Sequence, residues 1–107
     1  SLTVSTGVNS FPSSLALDDV NDDAFVDVVV GNAGTNEVTI FYDHGDGKFS
    51  RSISFTLGFN ARPQLVALGD VNGDGLVDIV VANHGNNVVE MLLLGCQQSS
   101  VVFSKIL

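Results

Sequence analysis

Apolar residues in this chain come in short runs separated by clusters of Gly, Asn and Asp, as in LVALGDVNGDGLVDIVVANHGNNVVEMLLLG from Leu65 to Gly95. Short runs rich in β-branched residues, bounded by turn residues and lacking a 3.6-residue period, predict strands and no helix. The expected strands are Leu65–Gly69, Val77–Asn83 and Val88–Leu94, with a fourth read from the first half of the chain at Phe49–Leu57. VDVVV and MLLL are continuous rather than alternating, which fits strands covered on both faces by other sheets. The fold class is all-β.

The same pattern occurs twice. SLALDDVNDDAFVDVVVGN (Ser14 to Asn32) lies over LVALGDVNGDGLVDIVVAN (Leu65 to Asn83) without a gap, at an offset of 70 − 19 = 51. That offset also pairs Gly7 with Gly58, Asn9 with Asn60, Pro12 with Pro63 and Asn36 with Asn87. Beyond Leu94 the copies drift, and aligning FSK from Phe103 with FSR from Phe49 requires three extra residues near CQQSSV. Within a unit an acidic loop joins the first two strands, AGTN or HGNN joins the second and third, and HGDGKF makes a glycine-rich hairpin to the fourth. GFNARP links the units. A unit of this length with four antiparallel strands reads as one propeller blade.

The chain is therefore a single segment of two blades, about 1–56 and 57–107. Phe103–Leu107 matches Phe49–Ile53 and Ser1–Thr6 matches Ser52–Leu57, so both ends fall within an outer strand. Two blades do not close a ring, which takes at least about four, and uncovered blades leave apolar faces and strand edges in water. The expected cover is further blades, supplied in cis or by homo-oligomerisation.

The most informative stretch is DVNGDGLVD, Asp70 to Asp78. Asp70, Asn72 and Asp74 offer side-chain oxygens at alternate positions, the carbonyl of Leu76 follows, and Asp78 closes the loop. Hard oxygen donors in that number suit calcium, and Gly75 stands where the loop must turn sharply. The loop opens like an EF-hand. That motif is excluded because its twelfth position is Val81 rather than a bidentate glutamate, and a strand follows instead of a helix.

Charge fits this reading. Four Lys+Arg against twelve Asp+Glu give a net charge of −8, which speaks against nucleic acid or insertion into an anionic membrane and favours cations. Six of the twelve acids occupy ligand positions in the two loops, and one divalent ion per loop would bring the charge to about −4. Cys96 is alone, so the chain has no internal disulfide. No apolar run reaches transmembrane length, and the N-terminal stretch has no signal-like apolar core.

Other polar residues do not assemble into chemistry. His44 aligns with Gly95 and His84 with Ala33, so neither recurs and neither has a ligand partner at zinc spacing; both read as surface turn residues. Ser5, Ser13 and Ser14 lack a nucleophile-elbow pattern, and GDGKF lacks a Walker context and a following helix. The chain is not read as an enzyme. Phe25, Phe49, Phe55, Phe59 and Phe103 are expected mostly in the core between blades, with a sugar-stacking platform as the alternative.

PQLVALGDVNGDGLVDIVVANHGNNVVEMLLLG, with GDGKF in the first copy, resembles the FG-GAP/VCBS repeat, the blade unit of integrin α-subunit heads and of many secreted repeat proteins. The likeness covers nearly the whole chain, twice. It implies a calcium-stabilised, usually seven-bladed propeller outside the cell, with the ion between a blade's first two strands. Seven is not reached by twos, so the resemblance favours a piece of a longer chain over a ring of three or four copies. Carried over by position, the ligands are Asp70, Asn72, Asp74, the Leu76 carbonyl and Asp78 in the second blade. In the first they are Asp19, Asn21, Asp23, the Phe25 carbonyl and Asp27. The first loop departs from the pattern at Ala24, where the family has glycine; positive φ there costs on the order of 1 kcal/mol, so the Asp70–Asp78 site is expected to hold its ion more tightly. The implied function is an extracellular calcium-binding module for protein recognition or adhesion, the ion structural. A carbohydrate-binding propeller and an accessory segment of a larger secreted enzyme are the alternatives.

Overall fold

The computed structural model describes residues 3–71, 73, 75–93 and 100–104. They form eight strands: β1 (Pro12–Asp18), β2 (Asp27–Asn32), β3 (Glu37–Tyr42), β4 (Arg51–Thr56), β5 (Pro63–Gly69), β6 (Asp78–Asn83), β7 (Val88–Leu92) and β8 (Ser100–Ser104). No helix occurs among the described residues. The strands make two separate four-stranded antiparallel sheets, ordered β1-β2-β3-β4 and β5-β6-β7-β8. Each is an open meander, as the repeat and its turn signals require.

The registers of the two sheets superimpose. Leu17 faces Val28 as Leu68 faces Ile79, and the first strand of each sheet carries an irregularity after its proline, between Pro12 and Ser14 and between Pro63 and Leu65. The fourth strand differs from the sequence reading. Phe103 pairs with Val89, the position Phe55 takes against Val38. Phe103 therefore corresponds to Phe55 and not to Phe49, and the second copy reaches its last strand through a connection three residues shorter than the first, not three longer (103 − 55 = 48, against the offset of 51). The register is that of the cross-strand pairing with β7, which a local FSK/FSR likeness does not encode. Thr3 to Thr6, matched by sequence to an outer strand, belong to no strand here.

Sheet packs on sheet, and that contact is the core. Val29, Val38 and Ile40 of the first sheet are fully or nearly buried against Val66, Ile79, Val81 and Leu92 of the second, with Ala16, Phe55 and Leu68 packed around them. Val29 and Ile40 are cross-strand partners, as are Ile79 and Leu92, so each set shares one face of its sheet. The continuous runs are explained by position: β2 and β3 lie inside their sheet, while β1 and β4 are largely exposed.

Polar groups at the junction are paired across it. The Ser13 hydroxyl donates to the Pro63 carbonyl at 2.6 Å, and the Val66 amide donates to the Ser14 hydroxyl at 3.2 Å. Asn36, at φ 55°, accepts the Arg62 amide on its side chain and the Leu57 amide on its carbonyl, both at 2.8 Å, which holds the linker onto the β2–β3 turn. Glu90 is buried in the second sheet at the position of Thr39. Its Oε1 accepts the Gly58 amide and the Asn83 side-chain amide, each at 2.8 Å. A carboxylate is tolerated there because its charge meets donors that would otherwise be orphaned.

Of the phenylalanines expected in the core, Phe55 packs against it, but Phe59 is 96% exposed. Phe59 sits in the linker, which runs over the surface because its backbone polar groups need water or turn partners.

Truncating Ile79 to Ala should lower the unfolding free energy by about 2–5 kcal/mol through cavity formation, while Phe59→Ala should change it by no more than about 0.5 kcal/mol. Urea denaturation of both variants measures this; comparable losses would place the core elsewhere.

Candidate metal centre

The acidic loop of the first unit is held by the sheet at both ends. Asp18 ends β1 and pairs with Asp27, which begins β2, so a fixed pair of strand ends spans the loop; Gly69 and Asp78 do the same in the second unit. Between those ends the Asp side chains fold the backbone around themselves. Asp19 accepts the Asp23 amide on Oδ1 at 3.1 Å and the Ala24 amide on Oδ2 at 2.7 Å, and Asp23 accepts the Phe25 amide at 3.0 Å. Asp27 is fully buried and accepts the Val20 amide at 3.1 Å and the Asp43 amide at 2.9 Å.

The consequence is a cluster. Carboxylate oxygens of Asp19, Asp23 and Asp27 lie within 4.8 Å of one another. Burial pushes the Asp27 carboxyl above the ordinary aspartate value; the amides of Asp43 and Val20 pull it back, and the charges of Asp23 and Asp19 add to the rise. For Asp19 burial also works upward, but the amides of Ala24, Asp23 and Asp22 outweigh it and hold the carboxyl below its ordinary value. Burial, with the charge of Asp27 behind it, likewise raises the Tyr42 phenol.

Such a set suits a hard divalent cation. The donors are all oxygen, each carboxylate oxygen keeps a lone pair beyond the one its amide uses, and the like charges crowd together. Asn21 stands exposed at the loop's third position. The ring of Phe25 lies on Gly45, where a Cβ would come within 2.9 Å of it, so this residue fastens the loop to the β3–β4 hairpin while its carbonyl remains the candidate ligand.

In the second loop, Asp70 accepts the Gly73 and Gly75 amides, one on each oxygen and both at 2.8 Å, and buried Asp78 accepts the Val71 amide at 3.1 Å. Leu76 lies between them, half-buried. Asn72 and Asp74 lie outside the described residues. The Gly75–Asp70 and Val71–Asp78 bonds repeat those of Ala24 with Asp19 and Val20 with Asp27 in the first loop, while Asp70 Oδ1 takes the amide three residues on where Asp19 Oδ1 takes the one four residues on.

Two family models match the chain, the FG-GAP-like repeat over residues 19–81 and the FG-GAP repeat over residues 63–101. The first spans more than half of the 107 residues. The chain belongs to the FG-GAP repeat family. Comparison with curated proteins and with solved structures gives no match. The two sheets have the topology of FG-GAP propeller blades, left open rather than closed into a ring.

Backbone conformation distinguishes the two FG-GAP loops. Ala24 has φ 72° where Gly75 has 83°, as expected from the turn; Asp22 has φ 60° where Gly73 has 77°, a second left-handed position that the sequence comparison passed over. The first loop thus places two Cβ-bearing residues where the second has glycines. Asp tolerates that region better than Ala does, so the strain concentrates at Ala24.

Asp43 was also missed. Its amide braces Asp27, and its Oδ1 accepts the amides of Gly45 and Gly47 at 3.0 Å each. An aspartate two residues before a Gly-x-Gly was the available signal, since its side chain turns the backbone onto itself. His44 and His84 are both exposed, His44 in the connection between β3 and β4 and His84 in the turn between β6 and β7.

Ala24→Gly should raise the unfolding free energy of the ion-free protein by about 0.5–1 kcal/mol, the relief of strain exceeding the added chain entropy, and Gly75→Ala should lower it by about 1 kcal/mol or more. Chemical denaturation in chelator checks both. No gain from Ala24→Gly would mean that the turn carries no strain.

Proposed function

We propose that this chain is a calcium-binding recognition module in which the ion is structural and no reaction is carried out. The observation that carries this reading is the convergence of Asp19, Asp23 and Asp27, whose carboxylate oxygens lie within 4.8 Å of one another. Fixing three carboxylates there opposes folding unless a cation joins them. A divalent ion that binds only the folded loop turns that opposition into stability.

Both sites are assigned the same plan: Asp19, Asn21, Asp23, the Phe25 carbonyl and Asp27 in one, and Asp70, Asn72, Asp74, the Leu76 carbonyl and Asp78 in the other. The strained turn at Ala24 makes the first the weaker. A small oxygen set of this kind belongs with extracellular calcium modules, whose affinities are about 10⁻⁴–10⁻³ M, and we place the module's action outside the cell. FG-GAP repeats are typically non-catalytic structural modules, which supports binding rather than catalysis. A protein partner is preferred to a glycan because the aromatic candidates are dispersed: Phe55 packs on the core, Phe25 against Gly45, and Phe59 stands out on the linker.

Calcium at several millimolar should raise the melting temperature by about 5 °C or more relative to excess chelator, since each kcal/mol is worth about 4–8 °C in a chain of this size. Asp23→Ala should abolish the contribution of the first site and leave that of the second. Coincident melting curves with calcium and with chelator would reject the metal assignment.

A further inference from the structure

In each acidic loop the residue after the first aspartate is a valine whose amide donates to the buried aspartate that closes the loop. Val20 bonds Asp27 Oδ2 and Val71 bonds Asp78 Oδ2, both at 3.1 Å. The backbone arrangement is the same, but the side chains are not. Val20 is 6% exposed and Val71 is 43% exposed. The other apolar residues between Asp19 and Asp27, namely Ala24, Phe25 and Val26, are exposed, so the first loop enters the interior through Val20.

The interior it enters does not belong to its own sheet alone. Val20 is part of the core cluster that holds Val29 and Ile40 of the first sheet together with Val66, Ile79 and Val81 of the second. β5 packs on β1 and β2, the strands on either side of the loop. The hydroxyls of Ser13 and Ser14 on β1 fix that contact through their bonds to Pro63 and Val66. The second unit therefore grips the first loop at its root.

We propose that Val20 is a positioning residue for the first metal centre, its side chain held between the sheets so that its amide fixes the Asp27 carboxylate before an ion arrives. Val20 supplies no ligand. It acts through Asp27, whose Oδ2 takes the Val20 amide while Oδ1 takes that of Asp43, so the buried carboxylate is held from two sides. Pinning the start of the loop also limits the courses open to Asn21, Asp22 and Ala24, and a site ordered in advance loses less freedom on binding. The packing of the second unit is in this way part of the first unit's site, and by reciprocity the ion strengthens the contact between the units. The anchor offsets part of what the left-handed turn at Ala24 costs. This inference rests on the calcium reading for the ion it names, whereas the anchoring itself is a property of the ion-free chain.

The test measures calcium binding by calorimetry at one site at a time, the first in an Asp74→Ala background and the second in Asp23→Ala, on protein that circular dichroism shows to be folded. Val20→Ala changes no charge and removes no ligand, yet it should weaken the first site by about fivefold or more. Val20→Ile, which keeps the β-branched anchor, should stay within about twofold of the unaltered site, and Val71→Ala should change the second site by no more than about twofold. Unchanged affinity in folded Val20→Ala would overturn the proposal and leave the side chain a core residue only. Equal losses from Val20→Ala and Val71→Ala would overturn it too, since burial between the sheets would then make no difference. Hydrogen exchange of the unaltered chain in chelator needs neither ion nor variant. There the Val20 amide should be protected about tenfold or more above the Val71 amide, and equal protection would contradict the anchoring. If the unaltered chain binds no calcium, the calcium reading falls and the positioning role with it; failure of the proposal alone leaves calcium bound and only these comparisons reversed.

Discussion

Everything distinctive in this structure depends on one sheet lying flat against another. An isolated four-stranded meander has two faces and no way to bury both, and β2 and β3, apolar on each side, would be unstable in water as a single sheet. Packing the second unit on the first removes Val29, Val38 and Ile40 from solvent together with Ile79, Val81 and Leu92. The hydroxyls of Ser13 and Ser14, the amide-accepting Asn36 and buried Glu90 then fix the angle and register of that contact by satisfying backbone groups on the far side. Removing Glu90 strands the Gly58 amide and the buried Asn83 side-chain amide, which costs more than those bonds contribute when they are made.

The acidic loops draw on the same frame. Their ends are anchored by the last cross-strand pair of each sheet's first hairpin, and Asp27 and Asp78 are buried because they begin strands that lie inside the stack. A buried carboxylate braced by two amides and facing two more carboxylates is a costly arrangement for a surface loop to keep without a use. The loops differ in how easily they hold it. Glycine at both left-handed positions lets the second loop close without strain, while Asp22 and Ala24 oblige the first to close against its own Cβ atoms.

Much of this was legible in the sequence because the repeat repeats for physical reasons. Two gap-free copies of strand, acidic loop and strand gave the eight strands to within a few residues, the sheet order and the position of Asp19, Asp23 and Asp27 at one point. What was not legible came from pairing across space. The register of β8 depends on Phe103 meeting Val89, which a local likeness between FSK and FSR does not encode. Glu90 reads as one acid among twelve until Gly58 and Asn83 are seen to donate to it. Phe59 reads as a core aromatic until the linker places it in solvent.

The central claim, that neither unit is stable apart from the contact between them, is tested most directly by native-state hydrogen exchange of the β2 and β6 amides under increasing denaturant. The account predicts that both strands exchange through a common opening, with the same free energy and the same denaturant dependence. Loss of protection in β6 while β2 stays fully protected would show that the first sheet stands alone, and would contradict it.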